Sequence, residues 1–332
     1  MEYTHLGRSG LVVSRLCLGT LPFGALVKDN EAWEIMDQAH EVGINFFDTS
    51  DVYGWQDGGD WSENVIGRWF SQGGGRRERT VLATKVYQPQ GSWPNDGRLS
   101  ALHIRRACEA SLTRLQTDHI DLYQMHHVDR DTPWDEVWEA MEVLRYQGKI
   151  LYAGSSNFAG WHLAQAQEAA NARHFLGLIS EQSVYNLLRR DLEREVLPAA
   201  ISYGIGVMVW SPLQRGMLAG ILPLVREEIQ SGTATTHLGQ LPRVDLQLVE
   251  KHRSKLEQYD ELCAAMNTPP AHVALAWLLS RPGVACAIIG PTVLQHLNDV
   301  ISCLEVRLDD ATLTQLDEIF PGYLTSPEDH AW

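Results

Sequence analysis

Positive charge is scarce in this sequence: 27 lysines and arginines face 42 aspartates and glutamates, giving a formal charge of −15. That deficit argues against a broad nucleic-acid surface or attraction to an anionic membrane, although local amides and side chains can still hold an anionic cofactor. No apolar run approaches the ~18 residues expected of a membrane span. The start, Met1-Glu-Tyr-Thr-His-Leu-Gly7, has neither the basic nor the apolar region of an export signal. Cysteine is sparse as well. Cys17, Cys108, Cys263, Cys286 and Cys303 are scattered, odd in number and without C-x-x-C spacing, which fits a reducing cytoplasm. Neither H-E-x-x-H nor a Cys/His ligand spacing occurs, so no metal is expected and the 13 histidines read mainly as surface or packing residues. No G-x-G-x-x-G follows the first strand-like run, so a doubly wound dinucleotide fold lacks its signature.

What is present is a rhythm. The 332 residues, 44% of them hydrophobic, suffice for one large βα domain over residues 1–332. Gly7-Arg-Ser-Gly10 between short runs predicts an N-terminal β-hairpin. Strand-like runs at 16–20, 44–48, 81–85, 120–126, 150–154, 178–182, 207–210 and 285–289 then alternate with helical patterns. The helices are expected at 33–40, 62–70, 100–115, 133–148, 161–171, 191–203, 246–266, 271–281 and 293–302. A last helix is expected over 309–320, and a long irregular stretch, 213–244, breaks the rhythm. Eight regular units predict an α/β fold, an eight-stranded parallel (β/α)8 barrel with an N-terminal hairpin and an extra C-terminal helix.

In such a barrel the strand ends converge on one face, where catalytic groups gather. Asp48 ends the second strand, Tyr53 follows in a Gly-rich loop, Lys85 ends the third strand and His126 the fourth. Buried Asp48 and Lys85 would be costly unless paired with each other. An adjacent ammonium is expected to lower the Tyr53 pKa and make it a usable proton donor. His126 supplies a further donor to a polarised oxygen, and alternation turns it inward with His127 at the rim. This set suits protonation of a carbonyl oxygen while something else delivers hydride to carbon. Each residue alone is as readily structural; the signal lies in the four together.

Asp48-Thr-Ser-Asp-Val-Tyr53, Lys85, Asp121-Leu-Tyr-Gln-Met-His126, Gly154-Ser-Ser-Asn-Phe158, Glu181-Gln-Ser-Val-Tyr-Asn186 and Trp210-Ser-Pro-Leu213 together resemble the aldo-keto reductase family over nearly the whole chain. The resemblance implies extended NADPH across the C-terminal face, Tyr53 as acid, Lys85 and Asp48 tuning it, and His126 orienting the carbonyl. It implies that Ser156, Asn157 and Gln182 hold the nicotinamide carboxamide and that Trp210 stacks on its ring. It extends cofactor contact to Gly19, Thr20, Asp48, Ser211, Leu213, Arg215, Gly290, Thr292, His296 and Asp299. Thr292 stands where the family carries an arginine for the 2′-phosphate, and Val300 where it carries an asparagine near adenine. Loss of a fork-shaped charged contact weakens selectivity for NADPH, so NADH is a possible cofactor.

Phe23, Tyr87, Trp93, His127 and part of 213–244 are expected to line the substrate pocket, with Trp55 and Trp93 suited to an apolar or sugar-like carbonyl compound. The ending Phe320-Pro-Gly…Pro327-Glu-Asp-His-Ala-Trp332 resembles actinobacterial sugar and secondary-metabolite reductases, implying a keto-sugar or related intermediate of deoxysugar biosynthesis. The tail is expected either to fold over the cofactor or to dock on the barrel, and the protein to be a monomer or homo-oligomer. Two alternatives stand beside the reductase: a cofactor-binding channel β-subunit, as some relatives are, and a Schiff-base aldolase using a neutral Lys85.

Overall fold

The computed structural model describes residues 1–55, 58–225 and 246–331. Tyr3–His5 (β1) and Val12–Ser14 (β2) form an antiparallel hairpin. Eight parallel strands follow: Leu16–Gly19 (β3), Phe46–Asp48 (β4), Val81–Val86 (β5), Ile120–Met125 (β6), Ile150–Ser156 (β7), Leu178–Val184 (β8), Gly206–Trp210 (β9) and Val284–Ile289 (β10). They close in sequence order, β10 pairing with both β9 and β3. The expected barrel and hairpin are therefore present, with helices between the strands, the first being Asp29–Glu41 (α1), and Asp310–Ile319 as the extra C-terminal helix.

Alternation along each strand sorts the side chains into two cores. Phe46, Ala83, Leu122, Met208 and Cys286 share one cluster with hairpin residues Leu6 and Val13. Phe47, Leu82 and Tyr123, one position along, pack instead with the surrounding helices. The hairpin can sit this close because Gly7 has φ +58° and no Cβ, where a methyl would lie 2.4 Å from the Ile179 carbonyl. On the outer side, Glu63 of the helix Ser62–Phe70 (α2) accepts from Thr84 Oγ1 at 2.6 Å and from Arg114 Nε at 2.7 Å. That pairing ties β5 to α2 and to the helix Ala101–Leu115, which Ser100 caps through the His103 N–H.

The helix expected over 191–203 is interrupted. A single 3-10 turn, Asp191–Glu193, precedes an α-helix that begins only at Val196. Pro198 accounts for this: inside a longer helix its ring would clash with the Arg194 carbonyl, whereas in a first turn it is tolerated. The Arg194 carbonyl accepts instead from the Ser326 N–H of the tail, at 3.0 Å. Tyr323 N–H donates to Glu193 at 2.9 Å, and the Arg194 guanidinium lies 4.0 Å from the Tyr323 ring centre. Of the two expectations for the tail, docking on the barrel describes this segment, and Trp332 lies outside the described residues. So do residues 226–245, most of the expected irregular stretch. The pattern at 246–266 divides at His252 into Leu246–Lys251 and Arg253–Ala265. Among the described residues no helix is long and apolar enough to cross a membrane, and all five cysteines are buried and unpaired.

Candidate active site

Asp48, Lys85, Gln124 and Gln182 face inward toward the C-terminal ends of four strands and form one hydrogen-bonded polar layer. Lys85 is wholly buried and its Nζ donates to Asp48 Oδ2 at 2.6 Å, to the Thr49 carbonyl at 2.8 Å and to the Tyr53 hydroxyl at 3.1 Å. All three ammonium hydrogens thus have acceptors, as a buried cation requires. The other Asp48 oxygen accepts from Gln182 Nε2 at 2.7 Å and Gln124 Nε2 at 3.0 Å. Gln124 is the member that sequence reasoning missed. It lies two residues from Leu122 along β6, so the period of two would have found it.

Tyr53 reaches this layer from a turn that the local sequence enforces. Its N–H donates to the Ser50 carbonyl and its carbonyl accepts from Ser62 N–H, pinning the loop to the start of α2. Gly54 has φ +77°, and a Cβ there would meet the Asp60 carbonyl at 2.1 Å. Lys85 Nζ also lies 4.6 Å from the Tyr53 ring centre. The expectation of a lowered Tyr53 pKa does not hold: burial raises it, outweighing the pull of Lys85, so the phenol is protonated at neutral pH. Burial alone would lower Lys85, but Asp48 and the Tyr53 oxygen more than offset it and keep the amine charged. That disfavours the neutral lysine an aldolase needs.

His126 stands just beyond β6, its ring edge-on to Tyr53 at 6.0 Å between centres. Burial, then Lys85 and His127, push its pKa well below the ordinary value, so the ring is neutral. His127 does not turn away as simple alternation suggests. The strand has ended, and the two imidazoles stack in parallel at 5.2 Å, with Tyr87 meeting His127 edge-on at 5.3 Å.

The residues expected to contact a cofactor lie mainly in three groups, after β7, β9 and β10. At the end of β7, Asn157 (φ +59°) is exposed, donates to the His126 carbonyl and to Ser156 Oγ, and accepts from Trp210 Nε1 at 3.2 Å. An exposed amide beside an indole and a buried amide layer is a donor and acceptor set that fits a nicotinamide carboxamide and ring. After β9, Ser211 and Arg215 have φ +54° and +55°, and Asn186 Nδ2 holds the Ser211 carbonyl at 3.0 Å, shaping the turn that includes Leu213. After β10, Gly290 has open space where a Cβ would lie, Thr292 and His296 contact each other at 3.3 Å, and Asp299 accepts from Gln295. Gly19 packs so tightly that a Cβ would meet Ile288 at 2.7 Å.

Two expectations need correction. Thr20 is fully buried, with its hydroxyl on the Asp48 carbonyl at 3.0 Å and accepting from Ser62, so its side chain serves the fold. Phe23 is fully buried in the outer core and lines no pocket, because the turn at Gly24 folds it under the loop. Trp93, the other aromatic residue expected at the pocket, is 79% exposed on its loop. Conversely, Glu181, to which the sequence motif alone assigns no role, is wholly buried. It accepts from Ser155, Ser183 at 2.6 Å and Phe158 N–H at 3.1 Å, and so holds the turn that presents Asn157.

Comparison with known proteins agrees with this architecture. Residues 15–320 match the aldo/keto reductase family. The chain is 52% identical over its full length to the full length of "Uncharacterized oxidoreductase YrpG" of Bacillus subtilis (strain 168). It is 30% identical to the versiconal hemiacetal acetate reductase of Aspergillus parasiticus, over 96% of each chain. It is 32% identical to a probable voltage-gated potassium channel subunit beta of Oryza sativa subsp. japonica, over 92% of each. With a buried Asp48–Lys85 pair touching Tyr53 at the mouth of its barrel and a family match across nearly its whole length, this chain belongs to the aldo/keto reductase family and is an oxidoreductase.

Proposed function

We propose that the protein reduces an aldehyde or ketone to the alcohol with NADPH, Tyr53 donating the proton to the substrate oxygen. The observation that carries this reading is the wholly buried Lys85 ammonium, 2.6 Å from Asp48 and 3.1 Å from the Tyr53 hydroxyl. A phenol left protonated by burial but touching a fixed cation is ready to release its proton to a developing alkoxide. Lys85 stabilises the resulting phenolate, and Asp48, fixed by Gln124 and Gln182, holds Lys85 charged and in place. His126 approaches the same oxygen from the other side of the site. A bound nicotinamide would supply the hydride, which no side chain can donate. Asn157, Ser156 and Gln182 would hold its carboxamide, Trp210 would pack on its ring, and Thr292, His296 and Asp299 would lie toward the adenosine end. Without an arginine at 292, discrimination against NADH should be modest.

For the substrate, His127, Tyr87 and the stacked pair Trp55–Trp61, 5.3 Å apart, supply aromatic surface near the mouth. Such surface suits a keto-sugar or a cyclic secondary-metabolite carbonyl, and the Aspergillus relative is named for a hemiacetal acetate. The free, buried cysteines are in keeping with a reducing cytoplasmic setting. The test is NADPH and NADH binding, followed through tryptophan fluorescence, and then cofactor oxidation with an activated aromatic aldehyde. Binding with turnover is expected. Tight binding without turnover on aldehydes, ketones or keto-sugars would favour a role like that of the rice channel subunit, and absence of binding would overturn the proposal.

A further inference from the structure

Asp51 takes no part in the reaction as described, yet it is wholly buried beside the site. Its Oδ2 accepts from Gln90 Nε2 at 2.8 Å, and its Oδ1 lies 3.2 Å from Ser50 Oγ. The same Ser50 oxygen lies 3.4 Å from His126 Nδ1. Asp51, Ser50 and His126 thus form a chain of contacts ending on the ring proposed to meet the substrate oxygen.

A serine hydroxyl has one hydrogen, so the directions along this chain are coupled. If Asp51 is ionised, it can only accept: Ser50 must donate to it, and His126 must then offer Nδ1–H to Ser50. The neutral ring has a single N–H, so its Nε2 becomes an acceptor and cannot donate to a substrate oxygen. If Asp51 is protonated, Oδ1–H donates to Ser50, Ser50 donates to Nδ1, and the His126 proton sits on Nε2. Gln90 occupies Oδ2, so Oδ1 is the oxygen left to carry that proton. We propose that Asp51 is a positioning residue that selects, through the Ser50 hydroxyl, which ring nitrogen of His126 holds the proton.

The surroundings put this choice within reach of ordinary pH. Burial, helped by Glu63 of α2, pushes the Asp51 carboxyl up to about 7, against Gln90, Arg114 and Ser50, which pull it down. The other groups acting nearby are Tyr53 and Tyr123, while Lys85 and His127 face His126 and keep it neutral. The Nε2–H form would then prevail below about pH 7 and the Nδ1–H form above it.

The consequence for turnover rests on the reductase reading, but the tautomer itself does not. The experiment is therefore long-range 1H–15N NMR of the ligand-free, 15N-histidine-labelled protein from about pH 5.5 to 9, with His126 assigned by comparison with His126→Gln. The parent should exchange Nε2–H for Nδ1–H as pH passes about 7. In Asp51→Asn, Gln90 should hold the amide oxygen and turn the NH2 toward Ser50, fixing the Nε2–H form at every pH. Ser50→Ala should break the link and remove the pH dependence. In turnover, kcat/KM of the parent should fall toward tenfold per pH unit above about 7, and stay flat in Asp51→Asn over the same range. A single His126 tautomer across the range in the parent, or a switch that survives in either variant, would overturn the proposal. A switch seen without any carbonyl turnover would leave it standing and remove the reductase reading instead.

Discussion

Lys85→Met removes the cation at the centre of the site while keeping the volume of the side chain. The parent ammonium is wholly buried and contacts Asp48, the Thr49 carbonyl and Tyr53. In the variant Asp48 remains buried with only the Gln124 and Gln182 amides to face it. Breaking a buried pair from one side costs about 3–5 kcal/mol, because the remaining charge is left uncompensated. Unfolding entropy for a chain of 332 residues is roughly 0.7 kcal/mol per kelvin, so the melting temperature should fall by about 4–7 °C. Asp48→Asn added to the same variant removes the stranded charge and should restore much of that loss. Reductase activity should stay low in both, about 10²–10⁴-fold below the parent, because Tyr53 has lost the cation that favours proton release. The assay is thermal unfolding of the parent, both single variants and the double variant, with turnover measured on each. A single variant as stable as the parent, or a double variant less stable than Lys85→Met alone, would refute the coupling.

Other consequences follow from the same geometry. Thr292→Arg should raise the preference for NADPH over NADH by about ten- to a hundredfold, since a guanidinium gains charge-assisted contacts to a 2′-phosphate; paired dissociation constants check this, and an unchanged ratio would place the 2′-phosphate elsewhere. The folded state holds the Asp51 proton up to about pH 7, whereas the unfolded chain loses it near 3.8, so ionisable Asp51 costs the parent stability as pH rises between those values. Relative to the parent, Asp51→Asn should therefore gain about 2–3 kcal/mol between pH 5 and pH 8 in denaturant unfolding, and no gain would mean the carboxyl is already ionised at the lower pH.

The parts of the fold legible in the sequence were those written in periodicity. Eight apolar runs at regular spacing fixed the barrel, and the polar residue ending each of three runs located Asp48, Lys85 and His126. Gln124 carries the same signal more weakly, because it lies inside β6 rather than at its end and an uncharged amide stands out less than a strand-end carboxylate or ammonium. Phe23 could not be read correctly, since whether a loop phenylalanine faces a pocket or the core depends on how Gly24 and Gly54 fold the loop. Tyr53 was located but its pKa direction was not, because that sign is a contest between a nearby cation and burial, and burial is absent from a sequence. The break before Val196 was legible in hindsight from Pro198, whereas the tail's partner for the Arg194 carbonyl, 132 residues away, was not.

The most direct test of the central claim is a single-turnover comparison of the parent and Tyr53→Phe, with NADPH bound and an activated aromatic aldehyde as substrate. Removing the phenolic hydroxyl should slow alcohol formation by about 10²–10⁴-fold while leaving the NADPH dissociation constant within about twofold, because Tyr53 moves a proton and does not hold the nicotinamide. Turnover at the parent's rate in Tyr53→Phe would contradict the assignment of this tyrosine as the acid, and with it the account of why Lys85 and Asp48 are buried beneath it.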